Sequence, residues 1–275
     1  MLDQYFEEGL SLGLAQAAIT LVAALAVALL ARRWEIHLER ETLVALVRGL
    51  VQVVAVGSIL LLVFQGPGWL SVIVLAAMML AAGGIAARRA RGIPGAFWVS
   101  LQGIVFGAGT VILLMTWTGV IDSEMQALIP VGSMLIANSM NTGALALDRF
   151  RAEVEAHSGQ IDAALALGAD PAVTVAPYVQ ESVQAGLIPR VDTLRSLGIV
   201  WIPGIMAGMI LSGSDPVYAA VYQFAVIAMI YAAAGLTAVA TTLLIRFRAF
   251  SPAQQLILRP GHEAMAAGET GQVAQ

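Results

Sequence analysis

The chain has 275 residues, 59% of them hydrophobic and 12% charged, with a mean hydropathy of +0.84 and a net charge of −4. No water-soluble core needs so much apolar surface, so the composition indicates one polytopic membrane domain rather than a soluble fold. All 14 basic residues are Arg and there is no Cys, which excludes a P-loop ATPase, a Schiff-base enzyme, disulfides and thiolate chemistry.

In chain order, the first charge-free run covers about 9–31, close to the length a bilayer-spanning helix needs, and ends at Arg32 and Arg33. Asp3, Glu7 and Glu8 precede it, the reverse of a cleaved signal peptide, so it is expected to stay as a span whose N-terminus is outside. The next uncharged stretch is too long for one helix and is divided by Gln65-Gly66-Pro67-Gly68, giving spans at about 43–64 and 69–87. Arg88, Arg89 and Arg91 stop the second of these. Further spans are expected at about 97–120 and 125–147, separated by the acidic turn Asp122-Ser123-Glu124. A long polar interval, 148–195, follows with helical Ala/Leu spacing. Spans at about 196–211 and 217–245 complete an all-α fold of about seven transmembrane helices, and the polar tail 251–275 is expected to be disordered.

Orientation follows from the arginines. In this arrangement they fall in the loops after spans one, three and five and in the tail, with Arg48 just inside span two. The opposite side carries Asp3, Glu7, Glu8, Asp122, Glu124 and Asp215 and no basic residue. The positive-inside rule then places the N-terminus outside, the C-terminus inside and the interval 148–195 in the cytoplasm of a bacterial inner membrane.

Three constellations carry chemical possibilities. Span five holds Asn138, Ser139, Asn141 and Thr142, which in hydrocarbon must face protein or water. They serve either as hydrogen bonds between helices or as the lining of a translocation path, with Met134 and Met140 nearby. In span two, Arg48 and Gln52 share one helical face, where Arg48 is either a path residue or a side chain snorkelling to the interface. Gln223 is a lone polar residue in span seven. In the polar interval, Asp162-Ala163-Ala164 and Gly168-Ala169 form a short Ala-rich helix with Gly near its end. Such a helix either presses closely on another protein or simply ends at a Gly cap before Pro171. His37, His157 and His262 lie far apart and have no zinc-ligand spacing. No Ser/His or Asp/Asp pair falls within a span, so an intramembrane enzyme is not expected. The absence of a titratable mid-span group speaks against a proton-coupled secondary transporter.

Asp162-Ala-Ala with Gly168-Ala169 resembles the coupling signature of ABC importer permeases, with Asp in place of the leading Glu. The run from Pro130 to Asn141 with Leu147-Asp-Arg149, the run from Leu197 to Gly213 with Pro216 and Tyr222-Gln223, and Arg48-Gly-Leu-Val-Gln52 are together similar to the UPF0014 family. That family comprises bacterial Fet-type iron-export permeases and plant aluminium-sensitivity proteins. The resemblance implies a dimeric permease subunit without a bound cofactor, paired with a separate ATPase that uses the ATP, and with no nucleic-acid partner. It assigns Asp162, Ala163, Ala164, Gly168 and Ala169 to ATPase coupling. Asn138, Asn141, Arg48, Gln52, Met134, Met140 and Gln223 become candidates for the translocation path, and a metal site is left unassigned. Iron is the cargo the resemblance favours, with an organic solute such as a sugar nucleotide as the alternative.

Overall fold

The computed structural model describes residues 9–32, 39–90, 93, 95–251 and 253–258, and among these it is all-helical. The long helices are α1 (Gly9–Arg32), α2 (Glu39–Val63), α3 (Leu70–Arg89), α6 (Met125–Ala156), α9 (Ala176–Ser196) and α11 (Pro216–Arg246). Shorter pieces are α4 (Ala96–Ile104), α5 (Thr110–Trp117), α7 (Ser158–Ala166), α8 (Pro171–Thr174) and α10 (Gly204–Leu211). The chain divides into two compact units, Met1–Pro67 and Gly68–Gln275. The first is the α1–α2 pair. The second contains everything that follows.

Among the described residues, four helical segments are long and apolar enough to cross a membrane: Arg40–Val63, Leu70–Arg89, Ala96–Trp117 and Pro216–Ala249. Their exposed faces carry Val72, Ile73, Leu80, Leu113, Trp117, Val221 and Phe224. So much exposed apolar surface suits a lipid environment and not water. The break expected at Gln65–Gly68 is present, with α2 ending at Val63 and α3 beginning at Leu70.

Helix α6 runs unbroken past the expected span end at about 147, into the interval expected to be helical, as far as Ala156. Its charged last turns are held by Arg149–Glu153 and Arg151–Glu155 pairs, each 2.6 Å and four residues apart. The expected span 196–211 is not one helix: α9 stops at Ser196, residues 197–203 are irregular, and α10 resumes at Gly204. Gly198 has φ +76°, a left-handed conformation that a residue with a Cβ adopts only at a cost, and Pro203 cannot continue a helix from before it. Finally, residues 253–258 are ordered. Leu256 and Leu258 are buried, Phe250 bridges Leu256, and the Ile257 amide donates to the Ala249 carbonyl at 2.9 Å. The rest of the expected tail, 259–275, lies outside the described residues.

The second unit is built on α11. Thr237, Thr241 and Thr242 are buried on it and donate to carbonyls of their own helix (Ala233, Thr237 and Ala238) at 2.7–2.8 Å, so their hydroxyls cost little in an apolar bundle. Gly103, Gly107 and Gly143 face these threonines, and close approach of the backbones replaces side-chain packing. A π turn at Val105–Gly109 joins α4 to α5 there. A Cβ at Gly107 would lie 2.1 Å from Thr237 Oγ1 and 2.6 Å from the Ala233 carbonyl oxygen. Gly107→Ala is therefore expected to destabilise the purified chain by about 1–3 kcal/mol, read as a lowered Tm in detergent. Gly84→Ala, where a Cβ meets nothing within 4 Å, should leave the Tm unchanged.

Two apolar clusters fill the ends of this unit. One joins Leu75, Ile112, Ile121, Leu128, Leu135, Val226 and Ile230. The other joins Ala90, Val99, Phe150, Ile161, Val175, Ile245 and Leu256.

Candidate functional site

Between the two clusters, polar residues meet where α9 packs back along α6. On α9, Ser182, Gly186 and Arg190 recur every four residues and so share one face, and Ser182 and Gly186 are buried. On α6, Asn138, Thr142 and Ala146 have the same spacing. The stripes run antiparallel. A Cβ at Gly186 would lie 3.2 Å from the Thr142 carbonyl oxygen and 3.4 Å from Ala146 Cβ, so glycine is what allows this approach.

That register carries Arg190 to the amide of Asn138. Arg190 Nη1 donates to Asn138 Oδ1, and Arg190 Nε donates to Thr142 Oγ1 at 3.1 Å. A guanidinium only donates, so the Asn138 oxygen must face it. The Asn138 Nδ2 group then donates to the Met134 carbonyl at 2.8 Å. At 1.5 Å per residue, Asn138 lies about 20 Å along α6 from Met125, near the middle of this 32-residue helix. Among the described residues no carboxylate lies within ion-pair distance of Arg190, and its charge is met only by neutral acceptors.

A cavity of about 260 Å³ opens beside this pair, lined by Met134, Asn138, Arg190, Thr193, Trp201, Ile227, Ile230 and Tyr231. Trp201 comes from the irregular segment between α9 and α10. The Gly198 amide donates to the Trp201 carbonyl at 3.2 Å, closing the segment on itself. Its neighbours Ile199, Val200 and Ile202 are exposed, so Trp201 is the residue of this segment that reaches the cavity. Helix α10 is fixed by Gln223, 2% exposed on α11, whose Oε1 accepts from the Met206 amide at 3.2 Å.

Of the path candidates, Asn138 and Met134 line this cavity. The other path candidates fall elsewhere. Met140 packs on the apolar cluster, Gln223 serves α10, and Asn141 is exposed and outside the cavity. Arg48 and Gln52 belong to the first unit, exposed on α2. The residue that sequence analysis did not single out is Arg190, sorted by charge with the cytoplasmic arginines and found against Asn138 and Thr142 of α6. The stripe Ser182-x₃-Gly186-x₃-Arg190 was the available signal for it.

The coupling candidates sit at the opposite end of α6. Ile161 anchors α7 in the second cluster, while Ala163 and Gly168 are exposed and Leu167 is 89% exposed. Following Leu167, the C-cap of α7, Gly168 has φ +85°. Its amide donates to the Leu165 carbonyl at 2.9 Å, and the Ala169 amide donates to the Ala164 carbonyl at 3.0 Å. Asp170 Oδ1 then caps α8 by accepting from the Ala172 amide at 2.7 Å. Among the described residues no group of three or more His, Asp or Glu converges as a metal site.

Comparison with known proteins agrees with a membrane chain. The model of the Uncharacterised protein family (UPF0014) matches residues 14–250. The chain is 31% identical over 261 residues to UPF0014 membrane protein slr1647 of Synechocystis, covering 91% of this chain and 95% of that one. It is 28% identical over 242 residues to the Probable iron export permease protein FetB of Escherichia coli (88% and 93% covered). It is also 28% identical over 246 residues to Protein ALUMINUM SENSITIVE 3 of Arabidopsis thaliana (89% and 90% covered). No solved structure matches the chain. With a family model spanning most of its length and relatives aligned nearly end to end, this membrane protein belongs to the UPF0014 family.

Proposed function

We propose that the chain is the membrane subunit of an ATP-driven exporter, acting as a homodimer with a separately encoded ATPase in a bacterial inner membrane. It is a transport subunit and not an enzyme, and ATP is used by the partner. The observation that carries this reading is the α7 tip, where an anchored short helix presents Leu167 and a tight Gly168 turn beyond the end of α6. The arginines beside it, Arg149 and Arg151, support a cytoplasmic α7, whereas taking α9 and α10 together as the sixth of seven membrane legs departs from the charge sorting and rests on the packing of α9 along α6. The name of the Escherichia coli relative supports a metal cargo, iron first.

Cells loaded with iron test the cargo. Expression of the chain with its ATPase is expected to lower total cell iron severalfold against an empty vector, and equal iron would overturn the metal reading.

A second reading, an organic solute as cargo, is favoured by one observation: the cavity at Asn138 offers a guanidinium and no carboxylate. A proton-coupled mechanism has less support, because arginine stays protonated and the cavity lining holds no Asp, Glu or His to exchange a proton. If the cavity is the path, Asn138→Leu, which removes the amide while keeping similar volume, should lower the rate of export at least about tenfold with unchanged protein level. Wild-type flux in that variant would move the path elsewhere.

A further inference from the structure

We propose that the cavity between α6, α9 and α11 binds an oxyanion, a carboxylate or phosphate group, through Arg190, and that bare divalent cations are not its ligand. This deepens the transport reading and rests on it.

Four features of the site lead there. The guanidinium is held from behind: Nε is occupied by Thr142 Oγ1 and Nη1 by Asn138 Oδ1, which leaves the Nη2 edge for a ligand. Both holders are neutral, so the positive charge is oriented without being cancelled. The other arginines of α6 and α9 behave differently, since Arg149, Arg151 and Arg195 each meet a carboxylate on their own helix. A half-buried charge without a counter-ion is better satisfied when a ligand supplies one.

Second, Arg190 lines an actual cavity, whose volume of about 260 Å³ is enough for a small carboxylate or a phosphate group. Third, the remaining lining suits such a group. Thr193 offers a hydroxyl and Tyr231 a phenol, while Trp201, Ile227 and Ile230 form apolar walls that keep the local dielectric low and strengthen the attraction. Fourth, the lining supplies no anionic ligand for a hard cation. It contains no Asp, Glu or His, and a fixed positive charge repels the ion. A metal passing this point would therefore travel as an anionic chelate, with the chelator's carboxylates facing Arg190.

Trp201 on the cavity wall provides the readout. Detergent-purified chain in sodium chloride buffer of matched ionic strength is titrated with citrate, with inorganic phosphate, with iron(III) citrate and with iron(II) chloride under anaerobic conditions, and tryptophan emission is followed. Citrate or phosphate is expected to change the emission saturably, and iron(II) chloride is not.

Arg190→Gln should weaken the anion response at least about tenfold, one charge-assisted hydrogen bond being worth that much. Because Arg190 also ties α9 to α6, Asn138→Asp is the companion variant. It keeps that tie and places a carboxylate against the guanidinium, so the chain should stay folded, with an unchanged Tm, and still lose the anion response about tenfold or more. A tighter response to iron(III) citrate than to citrate supports a chelate as the ligand, and an equal or weaker one supports a metal-free anion. Iron(II) chloride binding that survives Arg190→Gln, an Asn138→Asp chain that binds citrate like wild type, or no response to any probe would each overturn the proposal. None of these outcomes depends on an ATPase, so failure to recover one tests only the exporter reading.

Discussion

Replacing Gly168 by Arg is expected to abolish recovery of the cytosolic ATPase with the affinity-purified chain, while membrane insertion and the yield of the chain stay as in wild type. Gly168 has φ +85°, where a residue with a Cβ is strained by about 1–2 kcal/mol, and the turn it makes is closed by two backbone hydrogen bonds. A Cβ there meets nothing within 4 Å, so an arginine projects outward beside the exposed Leu167 and does not disturb the interior. The anchor of the segment, Ile161, stays in its cluster with Phe150 and Val175. Two further variants separate strain from surface. Gly168→Asn, which tolerates positive φ, should keep most of the association. Leu167→Asp leaves the turn intact and should lose association at least about tenfold, since burying a carboxylate at a docking surface is penalised. Equal ATPase recovery with Gly168→Arg and Leu167→Asp would remove α7 as the coupling element.

Part of the fold was legible in the chain because hydropathy and breakers act locally. The turn at Gln65–Gly68 and the acidic turn before Met125 announced themselves by residue type, and the helices on either side follow. Helix α6 outruns the expected span for a physical reason. Asp148 and Arg149 look like the membrane boundary, but a helix does not stop where charge begins. Glu153 and Glu155, one turn on from Arg149 and Arg151, hold it for two more turns. A hydropathy window is equally blind to the break at 197–203, because Gly198 and Pro203 interrupt the backbone without lowering the apolar content. In α6 the reverse happens: the amides of Asn138 and Asn141 dilute its hydropathy although the helix is long enough to span.

The candidate site was half legible. Asn138 and Met134 stood out as polar and soft groups in an uncharged run, and both line the cavity. Arg190 did not, because charge sorting treats every arginine alike and assigns it to the side where most of its kind fall. Its position is decided by a different rule, the four-residue spacing that places it on the same face as Ser182 and Gly186. Small residues on that face let α9 close on α6, and the guanidinium then has nowhere to go but the amide. Trp201 and Tyr231 were illegible for want of any local signal. One depends on the break after α9 and the other on how α11 is rotated.

Paired cysteines at 146 and 186 are expected to cross-link within the chain under mild oxidant, and the cross-link is expected to stop transport until it is reduced. The chain has no Cys, so Ala146→Cys/Gly186→Cys carries no background thiol. A Cβ at 186 lies 3.4 Å from Ala146 Cβ, just short of the roughly 3.5–4.5 Å that a disulfide spans, and a few tenths of an ångström of give would bring it into that range and relieve the 3.2 Å approach to the Thr142 oxygen. Near-complete loss of free thiol in the double variant, with none in either single variant, would establish the α6–α9 register on which the site at Arg190 depends. Failure to cross-link would remove that register and the Arg190–Asn138 contact with it. The flux measurement then separates two mechanisms. If α9 slides or tilts against α6 to pass cargo by the cavity, oxidation abolishes flux and a reductant restores it. If α9 is a fixed wall and the break at 197–203 is the moving part, the oxidised chain transports at the wild-type rate. The first outcome is expected, because Gly186 meets α6 through backbone and small side chains alone, a surface that lets packed helices shift with little repacking.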